Sequence, residues 1–164
     1  MKLMINPEWF DIALYEYHNR IHEFPNEADN PRILEYLSTC NGYIHKSMHD
    51  ETPWCSAFVN WCLYKAGYKG TNNLMARSWC KWGIPIVEEL DGEVIDCEHY
   101  KGAIVVLSRG NDKRYGHVGF LYRASHSAVQ LLGGNQHNQV SFAHYPRSRI
   151  VAVRYPHEVK DILK

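Results

Sequence analysis

The stretch that decides the fold is residues 52–67, which read TPWCSAFVNWCLYKAG. Thr52 is a natural N-cap, Pro53 suits the first helical position, and Gly67 stands where a helix would end. The pattern predicts a helix over 54–66, and it is the best defined helix of the chain. The elements on either side can be placed relative to it.

Cys55 is the candidate nucleophile. With Thr52 as the cap, Cys55 lies at the third helical position, in the turn whose backbone N–H groups lack partners within the helix. The positive end of the helix dipole favours the thiolate, which is the reactive form of cysteine. The free N–H groups, including that of Cys55, can hold the oxyanion that forms when a thiolate attacks an amide. The alternative is a buried, unreactive cysteine.

Helices come first in this chain and strands come second. Helices are predicted over 7–23, after Asn30-Pro31 until Asn41-Gly42, and over 74–82. Short β-branched or alternating runs then follow at 103–107, 117–122, 128–132, 139–143 and 150–154. This order predicts an α+β fold with N-terminal helices packed on an antiparallel sheet of about five strands. A length of 164 residues predicts one domain over 1–164.

Composition excludes several classes of protein. The 18 basic and 18 acidic residues balance, which argues against a nucleic-acid-binding module and favours recognition local to a cleft. No apolar run is long enough for a secretory signal or a membrane span, so synthesis in the cytoplasm without a signal peptide is expected. Five cysteines in a chain of this size favour a compartment that keeps thiols reduced.

His117 is the leading candidate for the base that a catalytic thiolate needs. It opens the predicted strand at 117–122, beside small residues that allow close approach of a helix or substrate. The next strand runs into Gly133-Gly134-Asn135-Gln136, and an antiparallel hairpin would bring this end near His117. Asn135 or Gln136 can then bond the far imidazole nitrogen and fix its tautomer. Taken singly, the alternative for His117 is a capped strand end, and the alternative for residues 133–136 is an ordinary turn.

Together these segments resemble the NlpC/P60 and CHAP superfamily of papain-like cysteine peptidases and amidases. The resemblance covers about 30–155 and is closest to a branch found among phage lysins and cell-wall-degrading effectors. It is carried by NPRI (30–33), TPWCSAFVNW (52–61), ARSW (76–79), WG (82–83), KGAIVV (101–106), GHVGF (116–120) and GGNQ (133–136). Trp54, where many NlpC/P60 members have Asp, places the chain nearer the lysin-like branch.

The resemblance implies roles for five residues. Cys55 is the expected nucleophile and His117 the expected base. Asn135 is expected to orient the base, with Gln136 as the second choice, because 133–138 holds no acidic residue. Tyr43, about a dozen residues before the nucleophile, matches the spacing of a tyrosine that family members carry near the oxyanion. No metal and no cofactor are expected.

The same resemblance implies that the substrate is the peptide stem or cross-bridge of bacterial peptidoglycan. The expected enzyme is an endopeptidase or an N-acetylmuramoyl-L-alanine amidase that works through a thioester. A phage lysin and a type VI secretion effector both fit a chain that needs separate delivery to the cell wall in the periplasm. An effector would imply an immunity protein that plugs the cleft.

Two other functions fit parts of the sequence. A metal-dependent hydrolase could use the pairs His18/His22 or His45/His49, although neither has the His-Glu-x-x-His pattern. A non-catalytic wall-binding module could use the aromatic side chains of Trp79, Trp82 and Tyr115. Cys40, Cys62, Cys80 and Cys97 are expected to serve packing, because none has a C-x-x-C partner.

Overall fold

The computed structural model describes residues 6–26, 28–42, 48–50, 52–86 and 100–156. Within these ranges, helices come first and an antiparallel sheet follows, which confirms the α+β prediction. The helices are α1 (Glu8–His18), α2 (Pro31–Ser38) and α3 (Cys55–Lys65), with a 3-10 helix at Ala76–Lys81. No helix in the described parts is long and apolar enough to cross a membrane.

The sheet of the described chain has six strands rather than the expected five or so. They are β1 (Ile84–Pro85), β2 (Ile104–Ser108), β3 (Gly116–Ala124), β4 (Ala128–Gln136), β5 (Gln139–Pro146) and β6 (Ile150–Tyr155). Their spatial order is β1-β6-β2-β3-β4-β5, and every neighbouring pair is antiparallel. The additional strand, β1, has only two residues, too few to show an alternating pattern in the sequence.

The start of α3 differs from the expected cap. Trp54, not Thr52, is the N-cap, and its side chain makes no capping hydrogen bond. Cys55 is therefore the first helical residue rather than the third. The backbone at Trp54 (φ −121°, ψ 15°) turns into the helix only there, and the first helical bond runs from Phe58 N–H to the Trp54 carbonyl at 2.9 Å. The N–H groups of the first turn consequently point out of the helix without a capping side chain.

Aromatic packing fixes the height of α3 above the sheet. Phe58 on α3 contacts Phe120 on β3 with ring centroids 6.3 Å apart. Gly134 on β4 lies directly beneath the start of the helix. A Cβ at Gly134 would come within 2.7 Å of both Phe58 and the Trp54 ring, so only glycine lets the strand approach this closely.

Buried polar side chains tie the other flank of α3 to the segment that precedes β1. Ser56 Oγ donates to the Asn73 carbonyl at 2.6 Å and accepts from Trp79 Nε1 at 2.8 Å. One turn later, Asn60 Oδ1 accepts from Asn72 N–H at 2.8 Å. Both side chains are almost fully buried, so these bonds are strong constraints. They hold the 3-10 helix beside the N-terminus of α3.

Candidate active site

The fold brings Cys55 and His117 together. Cys55 opens α3 and is 7% exposed, whereas His117 is the second residue of β3. The Cys55 thiol and the His117 imidazole lie close enough for each to shift the pKa of the other. His117 Nε2 lies 2.9 Å from Gln136 Oε1, which leaves Nδ1 as the ring nitrogen for the thiol. A candidate nucleophile, a candidate base and a third polar group are thus brought together at one site.

Electrostatics favour the charged form of the Cys55–His117 pair. Burial opposes ionisation of Cys55, but the hydrogen bond and charge of His117, with the N–H groups of Val118 and Ser56, lower the pKa of the thiol. Burial likewise opposes protonation of His117, but the contacts with Cys55 and Gln136 raise the pKa of the imidazole. A thiolate beside an imidazolium is the reactive state of a cysteine hydrolase.

Gln136 fixes the tautomer of His117 because its own amide is fixed. Its Nε2 donates to the Ser141 carbonyl at 2.5 Å and to the Leu131 carbonyl at 3.3 Å, so Oε1 must face the imidazole. Since Oε1 can only accept, His117 carries its proton on Nε2. The other nitrogen, Nδ1, is then free to take a proton from Cys55.

Asn135 was the expected partner of His117, with Gln136 as the second choice, and it is Gln136 that contacts the imidazole. A β-bulge interrupts the pairing of β4 with β5 between Gly133 and Gln136, and Asn135 within it has a φ of 55°. The bulge changes which side chain faces β3. Gly133 leaves room for the Gln136 side chain, because a Cβ on Gly133 would lie 2.9 Å from Gln136 Oε1.

Tyr145, on β5, is a site residue that the sequence analysis did not identify. Its hydroxyl donates to Gln136 Oε1 at 3.1 Å, and its ring lies 5.3 Å from the His117 ring. The Arg149 guanidinium lies over the Tyr145 ring, 5.2 Å from its centre. Burial is the main cause that raises the pKa of Tyr145 to about 12, so its hydroxyl keeps its proton and remains a donor at neutral pH. No short motif marks either residue in the sequence.

Comparison with known proteins identifies the family. A family model described as the CHAP domain matches residues 47–135, which is more than half of the chain and includes Cys55 and His117. This chain belongs to the CHAP domain family. The resemblance noted in the sequence is therefore confirmed.

Other comparisons with this CHAP domain are more distant. The solved structure of a wild-type endolysin, LysIME-EF1, matches with 15% identity and a TM-score of 0.47. The match covers 80% of this chain and 66% of that one, so the CHAP chain spans just under two thirds of the endolysin's length. No curated protein matches the chain.

The other residues considered in the sequence are Tyr43, His45 and the four cysteines that were expected to serve packing. Tyr43, His45 and Cys97 lie outside the described residues. Cys40 and Cys62 are buried in the core of the CHAP domain, and burial raises the pKa of both thiols. Cys80 is half-buried, and the four described cysteines are free thiols.

The alternative sites can be compared with the described structure. Within the described residues, no group of three His, Cys, Asp or Glu side chains is arranged to hold a metal ion. Trp79 is fully buried and Trp82 packs against it with centroids 5.0 Å apart, so these two rings form core rather than an exposed sugar-binding face. Tyr115 is 56% exposed.

The pKa shifts predict how alkylation of Cys55 depends on pH. Because the pKa of Cys55 is lowered, iodoacetamide should modify it at a pH where an ordinary thiol, with a pKa of about 8.5, is still protonated. His117→Ala removes the bond and charge that lower this pKa while burial remains, so the alkylation profile should move to higher pH. Intact-mass spectrometry with peptide mapping measures the rate at Cys55, with the half-buried Cys80 as the internal reference. If the alkylation rates of Cys55 and Cys80 rose over the same pH range, that result would contradict an ion pair between Cys55 and His117.

Proposed function

We propose that this CHAP domain hydrolyses an amide bond in the peptide part of bacterial peptidoglycan, with Cys55 as nucleophile, His117 as base and Gln136 as orienting residue. Membership of the CHAP family supports a peptidoglycan hydrolase. The single observation that carries the mechanism is the line from the Cys55 thiol through the His117 ring to Gln136 Oε1, 2.9 Å from Nε2. Geometry of this kind is what defines a catalytic triad.

The first chemical step is attack of the Cys55 thiolate on the substrate carbonyl. The carbon–sulfur bond forms as the carbonyl π electrons move to oxygen, giving a tetrahedral oxyanion. The first-turn N–H groups of α3, including that of Cys55, are without capping side chains and are the candidate donors for this oxyanion. His117, protonated at both nitrogens at this stage, gives the Nδ1 proton to the leaving amine as the carbon–nitrogen bond breaks.

The second step regenerates the enzyme. His117, now neutral, takes a proton from water at Nδ1, and the resulting hydroxide equivalent attacks the thioester. The carbon–sulfur bond breaks, the acid product leaves, and the Cys55 thiolate returns beside the imidazolium. Gln136 bonds Nε2–H throughout and thereby keeps Nδ1 aimed at the reacting atoms. Being neutral, it stabilises the imidazolium less than a carboxylate would.

A phage lysin and a secreted antibacterial effector remain the two settings that we propose for this activity. The effector setting carries the further proposal of an immunity protein that covers Cys55. Both settings use the same chemistry. The position of the cleaved amide bond distinguishes an amidase from an endopeptidase.

Selective inhibition tests the reaction type. We expect iodoacetamide to abolish the release of soluble fragments from purified sacculi, because it alkylates Cys55, and we expect EDTA to leave that release unchanged. Activity that is lost in EDTA but retained after treatment with iodoacetamide would instead support a metal-dependent hydrolase. Tight binding to sacculi with no fragment release by the untreated protein would support a wall-binding module.

A further inference from the structure

Two arginines are fixed by backbone carbonyls at the strand end that leads into His117. The first is Arg77, on the 3-10 helix, whose Nε donates to the Tyr115 carbonyl at 2.8 Å. The same Nε lies 3.2 Å from the position that a Cβ on Gly116 would occupy. Gly116 immediately precedes His117 in β3, so the Arg77 side chain lies against the strand end that carries the base.

The second is Arg149, the last residue of a short 3-10 helix (Arg147–Arg149) that precedes β6. Its Nε and Nη2 donate to the Ser108 carbonyl at 3.0 and 2.8 Å. Ser108 pairs with Gly116 in the β2–β3 ladder, so Arg149 is anchored at the same strand end as Arg77. Its guanidinium also lies over the Tyr145 ring, which in turn contacts His117.

Neither guanidinium has a carboxylate partner among the described residues. Asp112 is the acidic side chain of the loop joining β2 to β3, and it is engaged by Arg114 through a salt bridge of 2.8 Å. Neither guanidinium therefore forms a salt bridge with a described carboxylate, although the positive charge of Arg77 does contribute to the lowered pKa of Asp112. Like charges held at one place repel each other, and a bound anion removes that cost.

The N–H donors that the two arginines do not use within the protein define which kind of anion can bind. Arginine has five N–H donors. Arg77 uses its Nε for the Tyr115 carbonyl, and Arg149 uses Nε and Nη2 for the Ser108 carbonyl, so each keeps Nη hydrogens for a ligand. The planar guanidinium edge matches the two oxygens of a carboxylate.

We propose that Arg77 and Arg149 form a subsite that binds a carboxylate of the substrate peptide next to the scissile amide. This inference rests on the proposed function, which supplies the peptide. The zero net charge of the whole chain agrees with it, because the charge that recognises an acidic peptide is then local to the site rather than spread over a basic surface.

The subsite also links binding to the charge state of the base. The positive charge of Arg149 opposes protonation of His117. A carboxylate bound to Arg149 offsets that charge and so favours the imidazolium beside the Cys55 thiolate. Binding of an acidic peptide therefore strengthens the reactive form of the catalytic pair.

A pair of soluble stem peptides tests the subsite, one with a free carboxylate next to the scissile amide and one with a carboxamide in its place. We expect the wild-type protein to favour the carboxylate peptide by about 10-fold in KM, as for one charge-assisted bidentate contact. Arg77→Gln and Arg149→Gln should each lose most of that preference. Arg123→Gln, at the far exposed end of β3, should keep it.

Binding to the Cys55→Ala variant, measured by calorimetry with the same two peptides, separates this proposal from the proposed function. Tighter binding of the carboxylate peptide that Arg77→Gln or Arg149→Gln abolishes supports the subsite whether or not the wild-type protein turns the peptide over. Equal binding of the two peptides, binding of neither, or a preference that survives both substitutions would overturn the subsite. Loss of turnover alone in the wild-type protein counts against the hydrolase and not against the subsite.

Discussion

We expect Cys55→Ala to abolish release of soluble fragments from purified peptidoglycan, lowering the rate by about 10³-fold or more. In the proposed mechanism the thiol forms the covalent bond, and alanine can neither form it nor share a proton with His117. Because Cys55 is small and lies at the helix start, alanine should leave the fold intact. The loss of turbidity of a sacculus suspension and the appearance of new free amines measure the activity, and circular dichroism measures the fold.

The matched control for Cys55→Ala is Cys80→Ala. Cys80 is also a free thiol, half-buried on the 3-10 helix. We expect this variant to keep near wild-type activity. Retention of a tenth or more of the wild-type rate by Cys55→Ala would mean that the thiol is not the nucleophile.

The second large effect is expected at the third residue of the site. Gln136→Ala should lower kcat by about 100-fold with little change in KM, because His117 loses the acceptor that holds its proton on Nε2. Asn135→Ala, one residue away, should lower kcat far less, since its side chain lies in the bulge and does not contact the imidazole. Steady-state kinetics on a soluble muropeptide distinguish the two variants.

Two further variants control for a merely structural effect at Gln136. Gln136→Glu keeps an acceptor against Nε2 and should restore part of the lost kcat, while its negative charge moves the pH–rate profile to higher pH by favouring the imidazolium. Tyr145→Phe removes one donor to Oε1 and should cause a smaller loss of kcat than Gln136→Ala. A larger defect in Asn135→Ala than in Gln136→Ala would return the orienting role to Asn135.

Much of the site was predictable because it depends on local rules. A cysteine just after a helix start, with free N–H groups around it, is visible in the run from Thr52 to Gly67. His117 is visible because it opens a strand between small residues. The cap was placed two residues early, at Thr52 rather than Trp54, since a cap is decided by the backbone angles at Trp54 and not by residue type alone.

The third residue was harder to predict for a physical reason. In a regular strand, alternation decides which side chain faces the neighbour, but a bulge between Gly133 and Gln136 changes the register. Adjacent Asn135 and Gln136 carry the same amide group, so composition offers no preference between them. Only the observed φ of 55° at Asn135 shows which one is turned aside.

Arg77, Tyr145 and Arg149 were missed because tertiary structure alone brings them to the site. Arg77 reaches the strand end through the polar contacts that tie its segment to α3. Tyr145 reaches His117 from β5, two strands away in the sheet. A sequence with equal numbers of basic and acidic residues gives no sign that two arginines are anchored at the same strand end.

The most direct test of the central claim is mass spectrometry of the muropeptides released from purified sacculi by the wild-type protein and by Cys55→Ala. We predict fragments from the wild-type digest with one new amine and one new carboxyl for each cleaved amide, and we predict that the Cys55→Ala digest lacks them. The new carboxyl lies on the peptide for an endopeptidase and on the lactyl group of the sugar for an amidase. Cleavage within the sugar chain, or the same peptide fragments from both digests, would contradict hydrolysis of a peptidoglycan amide by Cys55.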